Sequence, residues 1–486
     1  GLTMTLSYIP SDTNDEGIFK ATASGSLPNG KPVVVNADGT VSVVSQSGPS
    51  AGTPTVFETG EVGQAESLPS AAYDTTSNRI VVAYKDDGNS DYGTVLVGTV
   101  SSGSISFGTA VVFASAYSAF MGVAYDSNAN RTVIVYSDAQ SDGNAIVGTV
   151  DPSDNSISFG SSAEYNGTGV STQAITFDST ANKVVIVYKG DSQHGHIIVG
   201  TVNSSNNSIS FGADNEWQTA QTNNVDVNYD VNANKSVITY VDAANSDKGA
   251  ARVATVSGTS ISLGSEVIFH DATTSRVVSI FDSTNNKIVA AYRDGGSNVG
   301  QARVGTVDGT SISFQSSVQF EAGATSDIAI GFDSINGKVI ISYTDDGDSG
   351  KGKAVVGTVS GTDISFTDPV EFESGDVKHQ AIGFDPDTSQ SIIFYCDADD
   401  SEKGKYVTFS SVIKNLTAEN FIGISTGGTY ASGSNATVKI IGNTSNDQSS
   451  LTAGQSYFVQ ADGTIGTTAA DPSVFAGTAI SATKLI

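Results

Sequence analysis

The stretch Ala174-Ile175-Thr176-Phe177-Asp178-Ser179-Thr180-Ala181-Asn182-Lys183-Val184-Val185-Ile186-Val187-Tyr188 decides the fold, because its pattern occurs seven times. The aromatic-Asp pair also stands at Tyr73-Asp74, Tyr125-Asp126, Tyr229-Asp230, Phe281-Asp282, Phe332-Asp333 and Phe384-Asp385. Successive copies are spaced by 52, 52, 52, 52, 51 and 52 residues. Eleven residues after each aromatic comes a tyrosine: Tyr84, Tyr136, Tyr188, Tyr240, Tyr292, Tyr343 and Tyr395. Each closes an apolar run such as Val184 to Val187, and a short run of this kind before Gly, Asp or Ser suits a strand covered on both faces. Val-Gly-Thr-Val follows at Val97, Val147, Val199, Val304 and Val356, with Ala254 replacing the glycine in the fourth copy. Then comes Ser-Ile-Ser-Phe or a close relative, from Ser104, Ser156, Ser208, Ser260, Ser311 and Asp363. Four strands per period, seven times over, predict an all-β fold: a seven-bladed β-propeller, in which radial repetition leaves only short, protected edges.

Closure tests the ring. The seventh copy lacks the Ser-Ile-Ser-Phe strand, and the sequence changes character near Ile413. At the other end, Gly52-Thr53-Pro54-Thr55-Val56-Phe57-Glu58 matches Gly108-Thr109-Ala110-Val111-Val112-Phe113-Ala114, so an N-terminal strand is expected to complete the last blade. Phe57 then joins Phe113, Tyr165, Trp217, Phe269, Phe320 and Phe372 as the seventh aromatic at that position. An open solenoid would instead begin and end on capping units. The expected division is 1–51, an N-terminal β segment; 52–411, the propeller; and 412–486, a C-terminal β domain. The segments outside the ring match each other, Gly30 to Val41 on Gly454 to Ile465 without gaps. Both read as a strand entering an Asp-Gly hairpin turn, and the two ends are expected to build one small β-domain.

Composition narrows the function. Of 486 residues, 15% are charged and 38% apolar, and 51 Asp and Glu outweigh 23 Lys and Arg, for a net charge of −28. Phosphate-backbone binding needs clustered cations, so nucleic acid is excluded as a partner. No stretch reaches the roughly 18 to 20 apolar residues of a membrane helix, and the one cysteine, Cys396, cannot pair internally.

The C-terminal run Leu451 to Thr464, continued by Asp471 to Ile486, resembles the terminal module of tailed-bacteriophage virion proteins of tail-fibre and appendage type, those of marine phages especially. Ala23 to Gly30 with Val33 to Val41 resembles the companion module. The resemblance covers about a quarter of the chain and brings no catalytic residues. It implies a particle-borne, oligomeric structural protein at the virion surface, partnered by other virion proteins, a host-surface glycan or a host-surface protein.

Chemistry is harder to find. Asp-rich loops follow the closing tyrosines, and Asp86, Asp87 and Asp91, with Asp345, Asp346 and Asp348, offer the hard oxygen ligands that Ca²⁺ takes. The complete calcium-loop motif is absent, and the alternative is turn-capping through backbone amides. No other cofactor is required. Arg79, Arg131, Lys183, Lys235, Lys287 and Lys338 hold one equivalent position and form a cationic circle, expected on the face opposite those loops. The circle reads as solvated local pairs or as a binding face for an acidic partner or glycan. His194 and His196 have the spacing of a metal pair on a strand but no Cys or Glu near them in sequence, and they read as an ordinary exposed pair. Trp217 reads as packing. Sialidase boxes, a Gly-x-Ser-x-Gly elbow, His-Glu-x-x-His and a P-loop are all missing. The carboxylate pairs are too numerous and too exposed in pattern for one to be singled out. Together with the resemblance of the terminal modules, this implies a non-enzymatic host-attachment or assembly protein of a virion. The rival readings are a glycan-degrading enzyme on a phage appendage and a bacterial adhesin or surface-layer protein.

Overall fold

A computed structural model describes residues 17–63 and 68–486. Blade 3 shows how one period folds. Thr172–Asp178 is innermost, followed outward by Lys183–Lys189 and Gly195–Asn203. The outer edge comes in two pieces, Ser208–Phe211 and Asn215–Gln218, both paired with Gly195–Asn203. Every pairing is antiparallel. The split edge explains why each period carries a second aromatic beyond its Ser-Ile-Ser-Phe strand. In three places the outer piece of one blade runs unbroken into the innermost strand of the next, as Val111–Asp126, Val267–Asp282 and Val370–Asp385.

Among the described residues this pattern makes seven blades, and the seventh borrows its edge. Gln390–Asp397 and Lys403–Ser410 continue outward from the second half of Val370–Asp385. Thr55–Glu61 then pairs with Lys403 to Tyr406, and Ser50–Ala51 pairs with Phe409 and Ser410. The place of the missing Ser-Ile-Ser-Phe strand is thus taken by Ser50–Ala51. The propeller accordingly forms a compact unit from Pro49 to Ser411, starting three residues before the expected boundary.

The turn after each innermost strand is fixed by the recurring aspartate. In blade 2, Asp126 Oδ1 accepts the backbone N–H of Asn128 at 2.9 Å and of Ala129 at 2.8 Å. Asn130 then takes a left-handed φ of 54°, as Asn78, Asn182, Asn234 and Asn286 do in their blades. Asparagine tolerates that conformation better than most residues. The second strands are buried along their length, Val184 to Tyr188 in blade 3 and Val339 to Ser342 in blade 6 among them.

Packing between blades is aromatic. The edge aromatic of each blade meets the closing tyrosine of the next: Phe113 lies 5.3 Å from Tyr136, Trp217 4.5 Å from Tyr240 and Phe320 5.5 Å from Tyr343. Phe57 of the borrowed edge meets Tyr84 of blade 1 at 5.3 Å, so the closing seam repeats the other six. Edge-to-face pairs of this kind contribute about 0.5–1.5 kcal/mol each beyond the area they bury. Each aromatic also lies over a glycine at the start of the third strand. A Cβ on Gly300 would stand 2.3 Å from Phe320, and one on Gly195 2.4 Å from Trp217.

Outside the propeller, the two chain ends share one sheet, in the order Ile18–Thr22, Asn435–Ile440, Phe421–Thr426, Pro32–Val35, Val41–Val43. A second sheet orders Ile465–Gly466, Ser456–Val459, Phe475–Ser481 and Lys484–Leu485. The matching segments form matching hairpins: Val35 faces Val41, Val459 faces Ile465, and Gly39 and Gly463 both have φ of 84°.

Candidate functional site

Side chains that recur around the ring are mostly consumed by its architecture. Tyr84, Tyr343 and Tyr395 donate their buried hydroxyls to Glu58, Glu321 and Glu373 at 2.8, 2.8 and 2.9 Å. Burial and these carboxylates hold the phenols well above their ordinary range. Burial likewise pushes the Cys396 thiol up to about 12, and a thiol so raised is unreactive.

The cationic circle does lie at the end of the blades opposite the Asp-rich loops: Arg79 faces Asp74, whereas Asp86 at the far end of that strand faces Tyr92. Its two arginines, expected as binding-face residues, brace neighbouring blades. Arg79 donates to Asn155 Oδ1 at 2.5 Å and to the Pro152 carbonyl at 2.7 Å. Arg131 repeats this with Asn207 and Ser204, at 2.6 Å to each. Lys338 donates to Thr358 at 2.8 Å. Lys183, Lys235 and Lys287 are half-buried at the corresponding places.

In the Asp-rich loops a lysine ammonium pairs with two of the three carboxylates of each candidate calcium set. Lys353 Nζ lies 2.7 Å from Asp345 and 2.9 Å from Asp348, and Asp346 accepts from Ser326 at 2.9 Å. Lys85 lies 3.2 Å from Asp87 and 3.8 Å from Asp91. Among the described residues no group of three or more His, Cys, Asp and Glu is arranged to hold a metal ion. Asp86 is not exposed as its sequence context suggests: it is buried, and burial together with the Glu58 charge pushes it up to about 6.

The two histidines part company. His194 stays near the surface, 3.3 Å from Glu216. His196 is buried, stacked on Tyr188, with Nδ1 2.8 Å from Asp214, which also accepts the Tyr188 hydroxyl at 2.7 Å. Burial opposes protonation of His196, but Asp214, with Glu216 and Asp191, outweighs it and raises its pKa above the ordinary value. A raised folded-state pKa gives stability that is present in acid and lost as pH rises through that pKa. Urea denaturation should therefore show wild type losing stability relative to His196→Gln between pH 6 and 8. Parallel curves for the two proteins would contradict this.

The feature that sequence reading passed over lies at the start of the innermost strands, five residues before each aromatic. Phe120, Asn224, Arg276, Asp327 and His379 there all have left-handed φ, between 44° and 53°. In every case a β-bulge interrupts the register beside them. Such bulges re-aim side chains and are enriched beside active sites. Thr172 holds the position in blade 3 without a bulge, and Leu68 in blade 1. The signal was available: this position changes from blade to blade where the rest of the period is nearly uniform.

These strands enclose the central channel, a cavity of about 290 Å³. Its lining is mostly small and apolar, with Ser70, Thr172, Gln173, Asn224, Asn228, Ser279 and Gln380 as uncharged polar additions. Arg276 and Asp226 are its charged residues, on adjacent blades. Asp226 replaces the Ser, Gly, Ala or Val found at that place in the other blades. It accepts the N–H of Val227 at 2.8 Å and of Ser279 at 2.7 Å. Burial nonetheless pushes it up to about 6 against those bonds and Arg276. Arg276 is held by its Nε on the Ile328 carbonyl at 3.1 Å.

No family model matches the chain, and no curated protein does. Solved structures similar in shape are propeller proteins. The BP39L lectin of Burkholderia pseudomallei has a TM-score of 0.54 at 13% identity, covering 71% of this chain and 96% of that one. The Cps50 (Swd1) β-propeller domain of Myceliophteria thermophila has a TM-score of 0.47 at 8% identity, covering 74% and 100%. The periplasmic gluconolactonase PpgL of Pseudomonas aeruginosa has a TM-score of 0.45 at 12% identity, covering 71% and 96%. At these identities the likeness is one of fold.

Proposed function

We propose that this chain is a non-enzymatic recognition protein of a tailed-phage virion surface, a fibre, appendage or decoration component that presents its propeller to a glycan or protein of the host envelope. One observation carries the recognition reading: groups that recur in every blade are tied into the ring, while side-chain variety gathers at the bulged mouth of the channel. A scaffold held constant around one variable surface is the arrangement of a binding module. The fold is compatible with sugar recognition, since one similar propeller is a lectin. The virion assignment rests on the resemblance of the two terminal modules, which would serve attachment to the particle and to other copies of the chain.

Asp226 supports a second reading. A carboxylic acid raised to about 6 in a channel could serve as a general acid, which suits a glycan-degrading enzyme on the same appendage. Incubating the full chain with host cells and with their isolated polysaccharide separates the two. Recognition predicts saturable retention on cells with no new reducing ends or unsaturated sugars; released oligosaccharide would overturn it. Mass spectrometry of purified particles should find the chain there, and its occurrence in cell envelopes without particles would remove the virion assignment.

A further inference from the structure

We infer that the channel mouth binds a single acidic sugar residue, with the sugar carboxylate on Arg276 and its hydroxyls on the open polar groups below. This deepens the recognition reading and rests on it. The volume, about 290 Å³, is at the small end of ligand sites and suits one monosaccharide rather than an extended chain. Arg276 has its Nε fixed on a backbone carbonyl, which holds the guanidinium stem and leaves the Nη fork for a planar, two-oxygen partner.

The other polar groups favour a polyhydroxylated ligand over a plain carboxylate. Asn228 spends its amide nitrogen on Ser279, and its oxygen accepts no hydrogen bond among the described residues. Asn224 and Thr172 stand at the mouth on neighbouring blades.

Charge gives a second signature. Asp226 is the anion that competes with a ligand carboxylate for the field of Arg276. Near pH 6 it becomes neutral, so an anionic sugar should bind more tightly at pH 5 than at pH 7. Asp327, Lys378 and His379 of the following blades lie outside the channel lining, and burial keeps His379 below its ordinary value.

The test is titration of the full chain with galacturonic acid, its trisaccharide and galactose, followed by ligand-observed NMR. The acid and its oligomer should bind, galactose should bind at least ten-fold more weakly, and Arg276→Gln should weaken the acid by about 10- to 100-fold. Arg276→Lys, which keeps the charge but not the fork, should fall between, and its unchanged melting curve would show that the ring is intact. Equal binding of acid and galactose, or no effect of Arg276→Gln, would overturn the inference. If the protein is retained on host cells and galacturonate does not bind, the acidic-sugar inference fails while the recognition reading stands. If neither occurs, both fail.

Discussion

Trp217→Ala should lower the unfolding free energy by about 4 kcal/mol, within the range for truncating a fully buried large aromatic. Trp217 is 1% exposed, packs edge-on to Tyr240 of the next blade and covers Gly195, and its indole N–H donates to the His196 carbonyl at 2.8 Å. Alanine would open a cavity at an inter-blade seam and remove that hydrogen bond. Trp217→Phe should recover most of the loss, because five other blades carry Phe at the position and a sixth carries Tyr. Trp217 is the single tryptophan, so circular dichroism is the appropriate probe of denaturation. A loss below about 1 kcal/mol for alanine would mean that the seam is not packed as described.

Asp333→Ala should cost about 3 kcal/mol, since leaving buried donors unpartnered costs about 1–3 kcal/mol apiece with partial relaxation. Asp333 is 1% exposed and accepts four hydrogen bonds. Two come from the backbone N–H groups of Ile335 and Asn336, at 3.0 and 2.9 Å. The others come from Asn336 Nδ2 at 2.8 Å and Ser411 Oγ at 2.5 Å. The last bond also fastens the end of the propeller chain to blade 6. Asp154, an exposed aspartate that caps a turn through the Ser156 N–H at 3.0 Å, provides the contrast. Its alanine variant should cost under about 0.5 kcal/mol, as for surface positions generally. Similar losses for the two variants, by chemical denaturation, would refute the structural weight given to the recurring aspartate.

The ring was legible because its signals are local and repeated. A buried strand must be apolar, a tight turn must supply Asp and Asn, and seven repetitions turn weak signals into a strong one. The borrowed edge could be read from Phe57 and its neighbours, although Ser50–Ala51 could not, since two residues carry no pattern. The site was less legible for a physical reason: a side chain's partners are set by tertiary contact. Nothing in sequence tells that Arg79 reaches Asn155, 76 residues on, or that Lys353 pairs with two carboxylates of an acidic loop. His196 looked like a surface residue for the same reason. The mouth of the channel was visible as a position that varies between blades, but its meaning depends on the bulge, and a bulge is a property of pairing.

The closed ring is the premise for both faces, the channel and its mouth. It is tested most directly by placing cysteines at Glu61 and Lys403, which are cross-strand partners in the borrowed edge of blade 7, and identifying the disulfide by mass spectrometry after mild oxidation of the folded chain. The account predicts rapid, near-complete linkage of the two positions within one chain. Both introduced thiols left free, or linked only to Cys396 or between separate chains, would contradict it.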